Sequence, residues 1–63
     1  MSSAAEVTWR LFRRYDHKSP WRESFIEQSE HNGRAALDHA RRAYPNQEWE
    51  LRKVTTTLEV VDA

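Results

Sequence analysis

The sequence predicts one α+β domain of ββαβ order: a three-stranded antiparallel sheet, strand order 2-1-3, with a single helix packed on one face. Three observations predict it. Val7 to Tyr15 and Glu48 to Val61 alternate apolar and polar residues or are rich in β-branched ones, as extended chain is. Between them, Ser29 to Tyr44 carries apolar and small residues at spacings of three and four, as one face of a helix does. A chain of 63 residues without cysteine has room for one core only, built without disulfides.

In the first strand Val7, Trp9, Leu11 and Tyr15 share one parity, and Thr8, Arg10, Phe12 and Arg14 the other, which is the pattern of a half-buried strand. Residues 1–5 precede it and are expected to be flexible. Asp16 to Pro20 is a polar run closed by proline, suited to a hairpin connection into a short second strand from Trp21 to Ile26. Glu23 lies between Trp21 and Phe25 on their parity, which suggests an edge strand where a carboxylate reaches water.

Ser29 can cap the helix by accepting a bond from an orphan amide, with Glu30 favourable at the positive end of the dipole; Asn32 is a competing cap. Gly33, Ala36, Leu37, Ala40 and Tyr44 form the inner stripe and Arg34, Asp38, Arg41 and Arg42 the outer one. Small residues on the stripe let the helix approach the sheet closely, and Pro45 should end it near Tyr44. In the third strand Trp49 and Leu51 share a parity that Val54, Leu58 and Val60 do not, so a bulge or break is expected near Arg52 and Lys53. Residues 55–63 are then a strand extension or a tail. A right-handed crossover through the helix places the first strand between the other two, with Val7, Trp9 and Leu11 under the helix.

Three tryptophans in so short a chain are unusual, and burial is expected to come from Trp9, Trp21, Trp49, Phe25, Tyr44 and the aliphatics, leaving no cavity for a substrate. Ten basic residues balance ten acidic ones, so no net field draws the chain to nucleic acid or to an anionic membrane. The charge is uneven, basic between Trp9 and Arg22 and acidic toward the end. No stretch approaches the length of a membrane span, and a cytoplasmic location is expected.

No catalytic set emerges. The serines have plain structural readings, the paired carboxylates Glu27 with Glu30 and Glu48 with Glu50 lie at solvated positions, and an enzyme is not expected. His31 and His39 are more than two helical turns apart and His17 is in the hairpin loop, so no converging set of metal ligands is expected. One glycine cannot form a phosphate-cradling loop, and no cofactor is expected.

Two surfaces stand out. The open sheet face is expected to carry Arg10, Phe12, Arg14, Arg22 and Ile26, with Arg10 between Arg22 and Glu48 or Glu50. Arginine beside an exposed aromatic suits a protein contact or, alternatively, single-stranded nucleic acid. The C-terminal edge, Thr55, Thr56, Thr57, Leu58 and Val60, outruns the first strand. Glu48 to Val61 spans roughly 45 Å and the first strand about 30 Å at ~3.3 Å per residue. The surplus would be a loose tail, a fourth strand, or an edge offered to a protein partner or a second copy.

The Trp9-Arg10 pair in an aromatic strand, the Trp21 to Phe25 strand, the alanine-rich helix, then Pro45, Trp49, Leu51, Thr55-Thr56-Thr57 and Glu59-Val60-Val61, resemble small accessory proteins of ββαβ pattern encoded by bacteriophages and by actinobacterial genomes. The resemblance covers nearly the whole chain, with Gly33 in the helix and Glu23 in the second strand as departures. It implies phage-type modulation or inhibition of a host protein, including a defence protein, and supplies no catalytic residue. The sequence is therefore read as a non-catalytic protein-binding module. The alternatives are nucleic-acid binding through the sheet face and a structural homodimer through the C-terminal strand.

Overall fold

The computed structural model describes residues 2–62. Its elements are β1 (Ser2–Arg14), β2 (Arg22–Glu27), α1 (Glu30–Ala43) and β3 (Glu48–Val60). The sheet is antiparallel in order β2-β1-β3, the arrangement the sequence predicts. The helix lies against the face that bears Trp9, Leu11 and Leu51.

Local chemistry sets the boundaries. The turn from β1 to β2 is held by Asp16, whose Oδ1 accepts bonds from the Lys18 amide at 2.8 Å, the Ser19 amide at 3.0 Å and the Ser19 hydroxyl at 3.2 Å. These bonds favour the ionised carboxylate and hold its pKa below the ordinary aspartate value, the Lys18 amide contributing most. The Ser29 hydroxyl caps α1 by accepting from the Asn32 amide at 3.2 Å, so Ser29 prevails over Asn32 as the cap. At the other end Tyr44 terminates the helix, its amide bonded to the Ala40 carbonyl at 2.8 Å. The Trp49 indole N–H then donates to the Tyr44 carbonyl at 3.2 Å and ties the helix end to the start of β3.

Of the two parity conflicts in the sequence, that in the second strand falls on an edge strand with Glu23 exposed, as expected, whereas that in the third is resolved differently. β3 runs without a bulge. Its register with β1 is unbroken from Glu48 opposite Arg14 to Val60 opposite Ser2, so Val54, Leu58 and Val60 lie on the face away from the helix. The bulge falls in the β1–β2 pairing instead. Leu11 pairs with Phe25 and Phe12 with Glu23, so Ser24 is the extra residue. That extra residue turns Glu23 onto the open face and leaves Phe25 on the helix side, which removes the conflict between Glu23 and its apolar neighbours.

β1 begins earlier than Val7. Residues 2–5, expected to be flexible, are strand paired with Thr57 to Val60, and this accounts for the surplus length of β3. A fourth strand is not needed, because the first strand is itself 13 residues long.

The core is smaller than the aromatic content suggests. Leu11, at 4% exposure, and Ala40, at 6%, are the buried apolar side chains among the described residues. Trp9 and Trp49 are half-buried. Trp21 sits on the open face, and Phe25 and Tyr44 remain 57% and 55% exposed, so the expectation that all five aromatics fill the core is corrected. The reason is geometric. Trp21 lies on the face that has no helix, Phe25 stands on the edge strand β2 beside the helix rather than beneath it, and Tyr44 is the cap residue at the helix end.

Candidate functional site

On the open face, the pairing of β1 with β3 sets Arg10 opposite Arg52, Phe12 opposite Glu50 and Arg14 opposite Glu48. The like charges of Arg10 and Arg52 are separated by their choice of partners. Arg10 reaches across to Glu23 at 3.3 Å and also donates to the Thr8 hydroxyl at 3.2 Å, whereas Arg52 turns along its own strand to Glu50 at 2.6 Å. Arg14 pairs with Glu48.

The same guanidinium groups cover the aromatic rings. Arg52 lies over Phe12 with its central carbon 4.3 Å from the ring centroid, and Arg14 lies over Trp21 at 4.4 Å. Arg52 is also 5.6 Å from Trp21, so the two arginines and two rings form one layer across β1, β3 and the residue that leads into β2.

Four of the five sheet-face residues singled out from the sequence, Arg10, Phe12, Arg14 and Ile26, share this face. Arg22 does not. It pairs with Arg13 beyond the bulge and so takes the helix-side parity, where it borders a small polar recess with Tyr15 and Gln47. Arg10 is therefore flanked by Ile26 and Arg52 rather than by Arg22 and a β3 glutamate. Sequence reasoning missed Trp21, Arg52 and Glu23 as members of the face. A fixed register would have found Arg52, and recognition of the bulge the other two.

On the opposite side, between α1 and β2, lies an open groove of about 630 Å³. Buried Leu11 and Ala40 line it together with the exposed rings of Phe25 and Tyr44 and the half-buried Trp49. Its volume is that of a small-ligand or side-chain site. The expectation of a molecule without a cavity is thus corrected: a groove remains between the helix and the edge strand β2.

Ser24, Glu27 and His39 also line this groove. Nucleophilic catalysis requires a base hydrogen-bonded to the nucleophile and a third group orienting the base. Among the described residues no side-chain hydrogen bond involves Ser24, Glu27 or His39. The groove as built is a place to receive an apolar group beside a few polar ones.

The C-terminal edge residues Thr55, Thr56, Thr57, Leu58 and Val60 all lie in β3, paired on one side with residues 2–7 of β1. Their other side carries no strand of the described residues, since β3 ends the sheet that these form. No helix of the described residues is long and apolar enough to cross a membrane. Comparison with protein-family models, with curated proteins and with solved structures gave no match to this chain.

Proposed function

We propose that this protein is a non-catalytic protein-binding module whose α1–β2 groove receives an apolar side chain of its partner. The observation that carries the proposal is the exposure of Phe25 and Tyr44 at 57% and 55% beside a groove that buried Leu11 and Ala40 also line. Aromatic anchors around a concave apolar surface are the usual centre of a protein interface, and the charged residues Arg13 and Glu27 beside them suit a polar rim. The partner proposed is a host protein, in keeping with the resemblance to phage accessory products, and occupancy by this chain would modulate or inhibit it.

The alternative of nucleic-acid binding draws no support from the open face. Its arginines Arg10, Arg14 and Arg52 each hold a carboxylate, and the rings of Phe12 and Trp21 are met by guanidinium groups of the same chain. A single strand would have to displace both.

The test is cross-linked affinity capture from host lysate with the native chain and with F25S and Y44S, whose exposed positions allow substitution without loss of the core. A protein recovered by the native chain and lost with both variants supports the reading. Equal recovery with all three, or no specific recovery, overturns it.

A further inference from the structure

We infer that a second copy of this chain pairs antiparallel along the free edge of β3, about a two-fold axis at Thr56. This surface lies at the opposite edge of the sheet from the α1–β2 groove, and the inference stands independently of the role proposed there.

β3 is 13 residues long and is an edge strand throughout. α1 packs over its first part, with Gly33 against Leu51 near the start of the helix and Tyr44 against Trp49 at its end. From Val54 to Val60 the chain projects as a two-stranded ribbon with residues 2–8 of β1, since β2 pairs only from Trp9 onward. A two-stranded ribbon is marginal in water on its own. Edge strands are ordinarily blunted by proline, bulges or inward charges. The segment Val54 to Val60 has none of these: it has no proline or glycine, its pairing is unbroken, and its single charge is Glu59.

Symmetry restricts the register. In a two-fold antiparallel pair the residues opposite each other must share a face, so the register can move only in steps of two. With the axis at Thr56, Lys53 stands opposite Glu59 of the other copy, Val54 opposite Leu58 and Thr55 opposite Thr57, each pair occurring twice. Moving the axis to Thr55 sets Glu59 against Leu51, and moving it to Thr57 sets Glu59 against Thr55. Both alternatives lose the two charge pairs.

The charges are available for this. The five ion pairs among the described residues use neither Lys53 nor Glu59. The apolar pair of Val54 with Leu58 falls on the open face, where Leu58 is half exposed in the single chain. Pairing would turn two ribbons into one four-stranded antiparallel segment and join the two sheets into a continuous one.

The experiment is sedimentation equilibrium of the full chain from micromolar to millimolar concentration, with circular dichroism to show that each variant is folded. The native chain is expected to shift from 7.5 kDa toward twice that mass as concentration rises. Lys53→Glu sets like charges opposite each other at two sites and is expected to raise the dimer dissociation constant about tenfold. Adding Glu59→Lys restores opposite charges in the other order and is expected to bring the constant back to within about threefold of native. A chain that stays monomeric throughout overturns the inference, and so does a dimer indifferent to Lys53→Glu or one that the double variant fails to rescue. None of these results bears on capture through the groove, so the two readings fail separately.

Discussion

Replacing Gly33 by alanine sets two effects of known size against each other. In a helix interior alanine is favoured over glycine by about 1 kcal/mol, so propensity alone makes the variant more stable. Packing acts the other way. A Cβ at position 33 would stand 2.9 Å from Cβ of Trp9 and 3.3 Å from Cδ1 of Leu51, whereas carbon atoms in good contact sit about 3.5 to 4.0 Å apart. The Leu51 methyl can rotate away. The Trp9 Cβ cannot, because it is bonded to the backbone of the central strand, which is hydrogen-bonded on both sides at that point. The helix must therefore lift from the sheet by several tenths of an ångström, which loosens the contact around Ala40 and Leu11. Overpacking of this kind costs about 1 to 3 kcal/mol.

The expected outcome is a net destabilisation of about 1 kcal/mol, or roughly 4 to 8 °C in Tm for a domain of this size. Urea unfolding followed by tryptophan fluorescence and by far-UV circular dichroism measures it, at one fixed protein concentration because self-association would add to apparent stability. Ala35→Gly is the control, an exposed helical position where the loss should be about 1 kcal/mol from propensity alone. A Gly33→Ala chain stabilised by about 1 kcal/mol would show that the helix does not rest on Trp9, and the account of the core would fail with it.

Removing the Arg52 side chain should cost about 1 kcal/mol by loss of its stacking on Phe12 and its exposed pair with Glu50, and Arg52→Lys should not restore it, because an ammonium cannot lie flat on the ring; denaturant midpoints read both. Ser29→Ala should destabilise by about 1 kcal/mol through loss of the helix cap, while Ser29→Asp should be close to neutral, as thermal unfolding would report. Asp16 has its folded pKa depressed, so its turn contributes stability above the ordinary aspartate range and loses it as pH falls through the lowered folded value. A carboxyl carbon NMR titration should place its midpoint below that of aspartate in an unfolded peptide, and a midpoint at or above it would remove the Lys18 and Ser19 bonds from the account.

Much of the fold could be read from residue spacing because its signals are local. Ser29, the small-residue stripe and Pro45 delimit the helix without reference to anything distant, and the strand order follows from connection length and handedness. What could not be read depends on register. Trp21, Glu23 and Phe25 share a parity along the chain, and only pairing with β1 shows that Ser24 is an extra residue dividing them between two faces. Val54 and Leu58 change parity relative to Leu51 because the helix ends its cover there, a fact of length in three dimensions that periodicity does not contain. Gly33, a departure from the pattern when read as sequence, stands so close to Trp9 and Leu51 that a Cβ there would meet them at 2.9 and 3.3 Å. The open-face site was legible in its β1 residues, Arg10, Phe12 and Arg14. Glu48 and Glu50 were legible as members of that face, but which arginine each holds, the Glu23 partner of Arg10 and the stacking Arg52 were not, since they are set by the pairing of residues far apart in the chain.

The small core connects these observations. With Leu11 and Ala40 as the buried apolar side chains among the described residues, the single chain has little margin, and domains of this length commonly need a further support. Disulfides are ruled out by the absence of cysteine. Two kinds of unsatisfied surface remain, at opposite edges of the sheet: aromatic rings beside the α1–β2 groove and the bare backbone edge of β3. Pairing along β3 about a two-fold axis perpendicular to the sheet would keep both helices on one face and set the two grooves at the outer margins, facing away from each other. Such a dimer would present two equivalent sites on one rigid sheet. It would therefore bind a partner that is itself two-fold or repetitive much more tightly than it binds a single site, because the second contact is made at high effective concentration. A variant carrying Lys53→Glu would keep its groove and lose that gain, so comparing its binding with native at high and low partner density separates the contribution of the groove from that of the edge.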